Sequence, residues 1–456
     1  MTTPVSDALI FFGATGDLAE KQIWPALSAL SAAGKLEMPV VAVGRKDIGK
    51  SGIVAKLKES LEANKVFDSA SFERLSQRLS YVAVDYDKPE SFVAIKEAIG
   101  GAEHALSYVA LPPDVFEKVA ANLDHAGLAK GGRLVLEKPF GHDAASARAL
   151  SEALYRFFSE PDIFRIDHYL GKEQLENIVY FRAANPLFEN AWSREQIALV
   201  EITMSEQFGV KGRAEFYDAV GAVRDVVQNH LLEVVACLAA ELPADRSHAA
   251  LRRARTELLA RVKPLATDDL VRGQVRGYLD EKGVAKDSRT ETFAALRVFI
   301  DSPRWQGVPF YVRTGKSLAV SATDAIVRFK SGSHAVLDEQ SPPPPASVRF
   351  RLSPGDAVAL SVNLKTPGAA MVGESEELTL ERPGKGRMKP YERLLGDALQ
   401  GDASLYAERE TVEQAWRVFD AALAANSEIH LYDEHSWGPE EANRVAPEGG
   451  WFNPAK

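Results

Sequence analysis

The sequence predicts two domains: an α/β domain built on a doubly wound parallel sheet over residues 1–174, and an α+β domain with a large, mainly antiparallel sheet over residues 175–456. Three observations predict it. The chain has 456 residues, enough for two or three domains with sizeable cores. Up to about residue 170, short unbroken apolar runs alternate with helical patterns, as strands buried on both faces do in βαβ units. From about residue 175, a long helical stretch is followed by runs of alternating polarity, which read as antiparallel strands with one wetted face.

The strand runs of the first domain are Ala8 to Phe12, Val40 to Gly44, Tyr81 to Val84, His104 to Leu111, Arg133 to Leu136 and Ile163 to Ile166. Helical spacing, as in Ser71-Phe72-Glu73-Arg74-Leu75, fills the intervals. In the second domain an apolar helix is expected over Ala219 to Ala240 and an arginine-rich one over His248 to Val262, its arginines facing solvent. Strands are expected over Phe310 to Arg313, Ala325 to Phe329, Val348 to Leu352, Val358 to Leu364 and Glu377 to Leu380. The Pro342 to Pro345 run cannot donate ladder hydrogen bonds and should be a loop. A last helix is expected over Thr411 to Ala425.

Composition removes whole classes of function. Lys plus Arg number 54 against 64 Asp plus Glu, a formal charge of −10, and no basic run overrides that sign, so nucleic acid is not an expected partner. With 46% apolar and 26% charged residues the chain is an ordinary globular protein. The single cysteine, Cys237, leaves no disulfide framework and no cysteine-based zinc site, fits a reducing compartment, and no metal is expected. Residues 1–12 carry Asp7 and no Lys or Arg, unlike a signal peptide, and no apolar stretch reaches the roughly 18 residues of a membrane span. A cytoplasmic location without membrane attachment is the expectation.

After the first strand comes Gly13-Ala14-Thr15-Gly16-Asp17-Leu18-Ala19. Glycine permits the tight turn and lets backbone N–H groups approach a pyrophosphate at a helix start, which makes this a Rossmann-like coenzyme domain with Gly13, Thr15, Gly16, Asp17 and Leu18 at the turn. Arg45 follows the second strand where an NAD-preferring domain places an acid for the ribose 2′-hydroxyl. A guanidinium pairs with a 2′-phosphate, so NADP is favoured, while nearby Asp47 leaves room for NAD as a secondary coenzyme. Three further strand ends carry polar groups: Ala110-Leu111-Pro112-Pro113, Glu137-Lys138-Pro139-Phe140-Gly141 and Arg165-Ile166-Asp167-His168-Tyr169-Leu170-Gly171-Lys172. The last of these sets three phosphate donors beside one aspartate.

With the glycine turn, these last two runs resemble the coenzyme turn and active-site segments of the glucose-6-phosphate dehydrogenase family. Arg224-Asp225-Val226-Val227-Gln228-Asn229-His230 resembles its catalytic helix, Val312-Arg313-Thr314-Gly315-Lys316 a substrate-binding segment, and the likeness continues through Tyr391 to Ala398 and Ser436 to Glu441. The resemblance implies NADP-dependent oxidation of glucose 6-phosphate at C1 to a lactone, the entry to the pentose phosphate pathway. It implies that His230 is the general base and Asp167 orients it. It further implies that His168, Tyr169 and Lys172 hold the phosphate, that Lys138, Glu206, Asp225 and Lys316 contact the sugar, and that Pro112 and Lys138 border the coenzyme. Homodimers or homotetramers are implied as well. On helical phase, His230 shares a stripe with Val223, Val227 and Val234.

Three positions depart from the family. Glu20, Gln22 and Ser321 stand at or near positions where the family usually has basic residues, and each missing cation beside a dianion costs on the order of 1 kcal/mol, so weaker substrate affinity is expected. Another hexose 6-phosphate is the alternative substrate. A glucose-fructose oxidoreductase-like sugar dehydrogenase is the alternative enzyme, and a non-catalytic relative has no use for Asp167, His168, Tyr169, Lys172, Asp225 and His230 together.

Overall fold

The computed structural model describes residues 4–245, 247–332, 337, 343–368, 370–382, 384 and 386–455, apart from the His248 side chain. Pro342, at the head of the expected proline loop, lies outside the described residues. Two compact units emerge, one of residues 1–172 with 388–413, the other of residues 173–387 with 414–456. The expected boundary at 174/175 lies near the first crossing. The expectation of two contiguous domains omits the return of residues 388–413 to the first unit.

That unit is a six-stranded parallel sheet of β1 (Ala8–Phe12), β2 (Val40–Gly44), β3 (Leu79–Ala83), β4 (Ala105–Val109), β5 (Arg133–Leu136) and β6 (Ile163–Arg165), in the order β3-β2-β1-β4-β5-β6. The order reverses beside β1, which is where open α/β sheets bind ligands. Every residue of β1, β2, β4, β5 and β6 is buried, which is why their sequences run apolar without alternation. The returning segment completes this core. Its helix Pro390–Gln400 contributes Leu394, Leu395, Ala398 and Leu399, and Tyr406 meets Phe164 edge-on at 4.9 Å.

The second unit holds a nine-stranded sheet of β7 (Ile197–Ser205), β8 (Leu270–Val275), β9 (Phe293–Phe299), β10 (Pro309–Gly315), β11 (Ala322–Phe329), β12 (Ser347–Ser353), β13 (Ala357–Lys365), β14 (Gly373–Glu381) and β15 (Ile429–Tyr432). Their order is β14-β13-β12-β11-β7-β10-β9-β8-β15, antiparallel except where β7 pairs with β10 and β8 with β15. The expected strands are present with longer bounds, and β7, β8, β9 and β15 are additional.

The expected helix over Ala219 to Ala240 starts later and is not one α-helix. Gly221 has φ +76°, a left-handed conformation that interrupts the chain between the short helix Ala214–Asp218 and the next turn. Residues Val223–Leu231 then wind as a π-helix, with the Leu232 N–H reaching back to Val227 O, before the α-helix Leu232–Ala239. Three side chains cap that helix. Arg182 donates to Cys237 O at 3.1 Å, Trp192 to Leu238 O at 2.8 Å and Trp305 to Ala239 O at 2.8 Å, satisfying carbonyls that a helix end leaves orphaned. In the helix His248–Arg261, Arg253 and Arg261 face solvent as expected, but Arg255 turns inward to the buried Glu233 at 3.8 Å.

Candidate active site

In the first unit the coenzyme turn follows β1 directly. Gly13 has φ +76°, and a Cβ there would sit 2.2 Å from Ala110 O, so the approach of the turn to the end of β4 excludes any side chain. A Cβ on Gly16 would meet only Gly13 O, at 3.4 Å. Ala14 is buried with its carbonyl bonded by the Trp24 indole at 3.0 Å, whereas Thr15, Gly16 and Asp17 are exposed and Leu18 is half-buried. A small exposed turn at a helix start, with no side chain over Gly16, fits a dinucleotide pyrophosphate. Residues Ala19–Ile23 form one π-helical turn. The Glu20 carbonyl accepts from Ser60 Oγ at 2.5 Å and Asn64 Nδ2 at 3.0 Å, so side chains satisfy it. Gln22 is exposed on this turn.

Arg45 is exposed at the end of β2. Burial pushes the Tyr86 hydroxyl up to about 12 and the Arg45 guanidinium opposes that shift, which sets Arg45 near this ring. Asp47 is already engaged, accepting from the Gly49 N–H at 3.0 Å at the start of the helix Gly49–Ala63. Pro112 and Pro113 follow Ala110, beside Gly13.

At the end of β5 stands a buried carboxylate for which the sequence reading assigned no role. Glu137 is 8% exposed and accepts from the hydroxyls of Tyr108, at 2.5 Å, and of Tyr391 from the returning segment. Burial pushes its carboxyl up to about 7, and the nearby Asp167 adds to the rise while the two tyrosines and Lys138 oppose it. Its signal in the sequence is an acid directly after the apolar run Leu134-Val135-Leu136.

The folded state therefore keeps a proton on Glu137 that the unfolded chain releases near 4.5, and the stability this confers at low pH is lost as pH rises from about 4.5 to about 7. The loss is about 3 kcal/mol. Denaturant unfolding at pH 5 and pH 8 should show it, and Glu137→Gln, which stays neutral, should flatten the difference.

After β6 the chain turns tightly. Asp167 is buried, and its Oδ1 accepts from the Tyr169 N–H at 2.9 Å. The Lys172 ammonium sits over the Tyr169 ring, 3.5 Å from its centroid, and His168 stacks on Tyr391 at 6.3 Å and 12°. One turn thus gathers an imidazole, a phenol and an ammonium, all donors suited to a phosphate.

In the second unit the parallel pairing of β7 with β10 aligns Ser205 with Gly315, so the next residues, Glu206 and Lys316, leave the sheet together. The Lys316 ammonium pairs with the Glu206 carboxylate and lies 3.8 Å from Asp225 Oδ2, on the π-helical segment. Phe208 and Tyr217 flank that ammonium at 5.4 Å. Burial, then the nearby Asp225 and Glu291 carboxylates, hold the Tyr217 hydroxyl protonated. His230 is 2% exposed on the same segment, and Val223, Val227 and Val234 are buried with it. The shared burial agrees with the expected stripe, although the wider winding replaces the α-helical spacing assumed for it. Ser321 accepts from the Gln207 N–H at 2.8 Å, so it serves the turn after Glu206.

A coenzyme-type turn on a parallel sheet of this order, in a chain whose second unit clusters two carboxylates with a lysine, defines a two-domain dinucleotide-binding dehydrogenase. Residues 10–177 match the model of the glucose-6-phosphate dehydrogenase NAD binding domain, and residues 179–452 that of the glucose-6-phosphate dehydrogenase C-terminal domain. Glucose-6-phosphate 1-dehydrogenase 1 of Mycobacterium tuberculosis (strain CDC 1551 / Oshkosh) is 39% identical over 98% of this chain and 97% of its own length. The crystal structure of glucose-6-phosphate 1-dehydrogenase from Mycobacterium avium is similar at 38% identity and TM-score 0.92, covering 99% of each chain. A glucose-6-phosphate dehydrogenase solved in complex with its substrate glucose-6-phosphate is 31% identical, with TM-score 0.90 and full coverage of both chains. The chain belongs to the glucose-6-phosphate dehydrogenase family.

Proposed function

We propose that the protein is an NADP-dependent dehydrogenase that oxidises glucose 6-phosphate at C1 to the 6-phosphoglucono-lactone. The observation that carries this reading is the Lys316 ammonium held by Glu206 and Asp225 at the end of the second sheet. Carboxylates accept from sugar hydroxyls and the lysine donates to hydroxyl or ring oxygens, a donor set suited to a polyol. The turn of His168, Tyr169 and Lys172 supplies the grip for the 6-phosphate, and Lys138 contacts sugar and coenzyme.

Hydride leaves carbon readily only as the attached oxygen loses its proton. In this reading His230 takes the C1 hydroxyl proton, and Asp167 orients the imidazole and stabilises the imidazolium that forms. When bound, NADP supplies the hydride acceptor. Gly13, Thr15, Gly16, Asp17, Leu18 and Pro112 line its site, and Arg45 takes the 2′-phosphate.

Assembly through the second sheet is part of the same reading. On β13 and β14, Leu360 faces Leu378 and Val358 faces Leu380, and Leu364, Leu378 and Leu380 are 56%, 60% and 66% exposed, an apolar face suited to a second copy of the chain. Among the described residues no helix is long and apolar enough to cross a membrane. The buried Cys237 thiol is compatible with a reducing cytoplasm.

The test is a spectrophotometric screen of glucose, glucose 6-phosphate and other hexose 6-phosphates with NADP and NAD. The expected result is reduced coenzyme with glucose 6-phosphate and NADP, and a rate at least tenfold lower with glucose. Arg45→Asp should lower kcat/KM for NADP by about tenfold or more, one charge-assisted pair, and leave NAD unaffected or improved. Preference for unphosphorylated glucose would favour the oxidoreductase-like alternative.

A further inference from the structure

The segments that carry the proposed sugar ligands meet at two consecutive residues just before β9. Glu291 is 1% exposed and Thr292 fully buried. Glu291 O accepts from the Ala222 N–H at 2.9 Å and its Oε1 from the Val223 N–H at 3.2 Å, at the start of the π-helical segment that bears Asp225 and His230. A Cβ on Gly221 would lie 2.6 Å from the same Oε1, so the chain there is shaped to admit this carboxylate. Thr292 O accepts from the Lys316 N–H at 2.9 Å. Tyr432 closes the arrangement, donating to Lys316 O at 2.8 Å, with its oxygen 2.8 Å from Thr292 Oγ1.

Arg272 holds the carboxylate from behind. Its Nε and Nη2 donate to Glu291 Oε2 at 3.1 and 2.8 Å, and its remaining donors reach Arg289 O, Asn426 Oδ1 and Ser427 O. A guanidinium fork bonded at both faces leaves the carboxylate little freedom. With one oxygen fixed by Arg272, the other accepts from the Val223 N–H at the start of the segment, where a negative charge also complements the helix dipole.

We propose that Glu291 is a positioning residue for the sugar-binding cluster, setting the segment of Asp225 and His230 against the strand end of Lys316. The proposal rests on the functional reading above. Because Lys316 and Asp225 already lie within 3.8 Å, a small shift of the segment start changes the space between Glu206, Asp225 and Lys316 that a sugar must enter. The residues of this arrangement all belong to the second unit and the coenzyme turn to the first, so the expected effect is on the sugar phosphate.

Glu291→Asp tests it, since aspartate keeps the charge for Arg272 but is too short to reach the Val223 N–H as well. Kinetics with glucose 6-phosphate and NADP are measured on protein shown to be folded by a cooperative thermal melt. The expected result is a KM for glucose 6-phosphate raised at least fivefold and a kcat lowered about tenfold, with the KM for NADP within twofold of wild type. Glucose 6-phosphate constants within twofold of wild type would overturn the proposal and leave Glu291 a structural partner of Arg272. Should the variant fail to fold, Arg272→Lys replaces the fork by a single donor while Glu291 stays. A raised sugar-phosphate KM then supports the proposal and unchanged constants overturn it. An inactive wild-type protein would refute the functional reading itself, and the proposal with it, whereas an active wild type with unaltered variants refutes the positioning alone.

Discussion

Replacing His230 by alanine is expected to lower kcat for glucose 6-phosphate by about 10³-fold, within the 10²–10⁴ that a positioned general base contributes. The imidazole is 2% exposed, buried with Val223, Val226, Val227 and Gln228, and a neutral imidazole carries a ring nitrogen that can accept a proton. The KM for NADP should stay within twofold, because the coenzyme turn belongs to the other unit. Asp167→Asn should keep the fold and lose less than His230→Ala, since it removes orientation and charge while leaving the base. Full turnover in His230→Ala would move the base elsewhere. A thermal melt accompanies each measurement, because a cavity at a buried site also costs stability.

Gly13→Ala should be the most damaging single methyl in the first unit. The new Cβ would stand 2.2 Å from a backbone oxygen, Ala110 O, and would carry a side chain at φ +76°. Neither the end of β4 nor the turn can yield without breaking Ala110 N–H to Phe12 O, which ties β4 to β1 at 3.2 Å. Overpacking and backbone strain together should cost about 3 kcal/mol or more. Gly16→Ala is the control. Its Cβ meets Gly13 O at an ordinary 3.4 Å, so the fold should hold while the methyl obstructs the pyrophosphate and raises the KM for NADP. Equal melting temperatures for wild type and Gly13→Ala would refute the steric argument. An unchanged coenzyme KM in Gly16→Ala would remove the turn from the coenzyme site.

How much was legible depended on what each element buries. The strands of the first sheet could be read because both faces are covered, leaving apolar runs such as Ala8-Leu9-Ile10-Phe11-Phe12. In the second sheet, β7 is central and β8 lies one strand from the edge, yet they carry Glu201, Arg272 and Gln274, all buried. Such residues read as solvent-facing until their partners are known: Glu201 accepts from the Phe452 N–H of the tail, Arg272 pairs with Glu291, and Gln274 donates to Ser288 O and Thr290 O. Many candidate residues stand at strand ends, whereas Asp225 and His230 lie on the helical segment; all sit in short local motifs, and the family resemblance supplied their roles. Glu137, Tyr391 and Glu291 could not, because what they do depends on partners far along the chain. The amphipathic pattern of Tyr391-Glu392-Arg393-Leu394-Leu395 announces a helix with an apolar face but does not say which sheet that face covers.

The return of residues 388–413 to the first sheet has a consequence for how the protein is made. Once the ribosome has released residue 172, about 234 more residues must be synthesised before Leu394, Leu395 and Tyr406 can all cover the core they complete. At ordinary translation speeds that wait is on the order of 10–40 s. Through that interval the nascent nucleotide-binding half carries an uncovered apolar face around Phe164 and Leu170, where a chaperone would act.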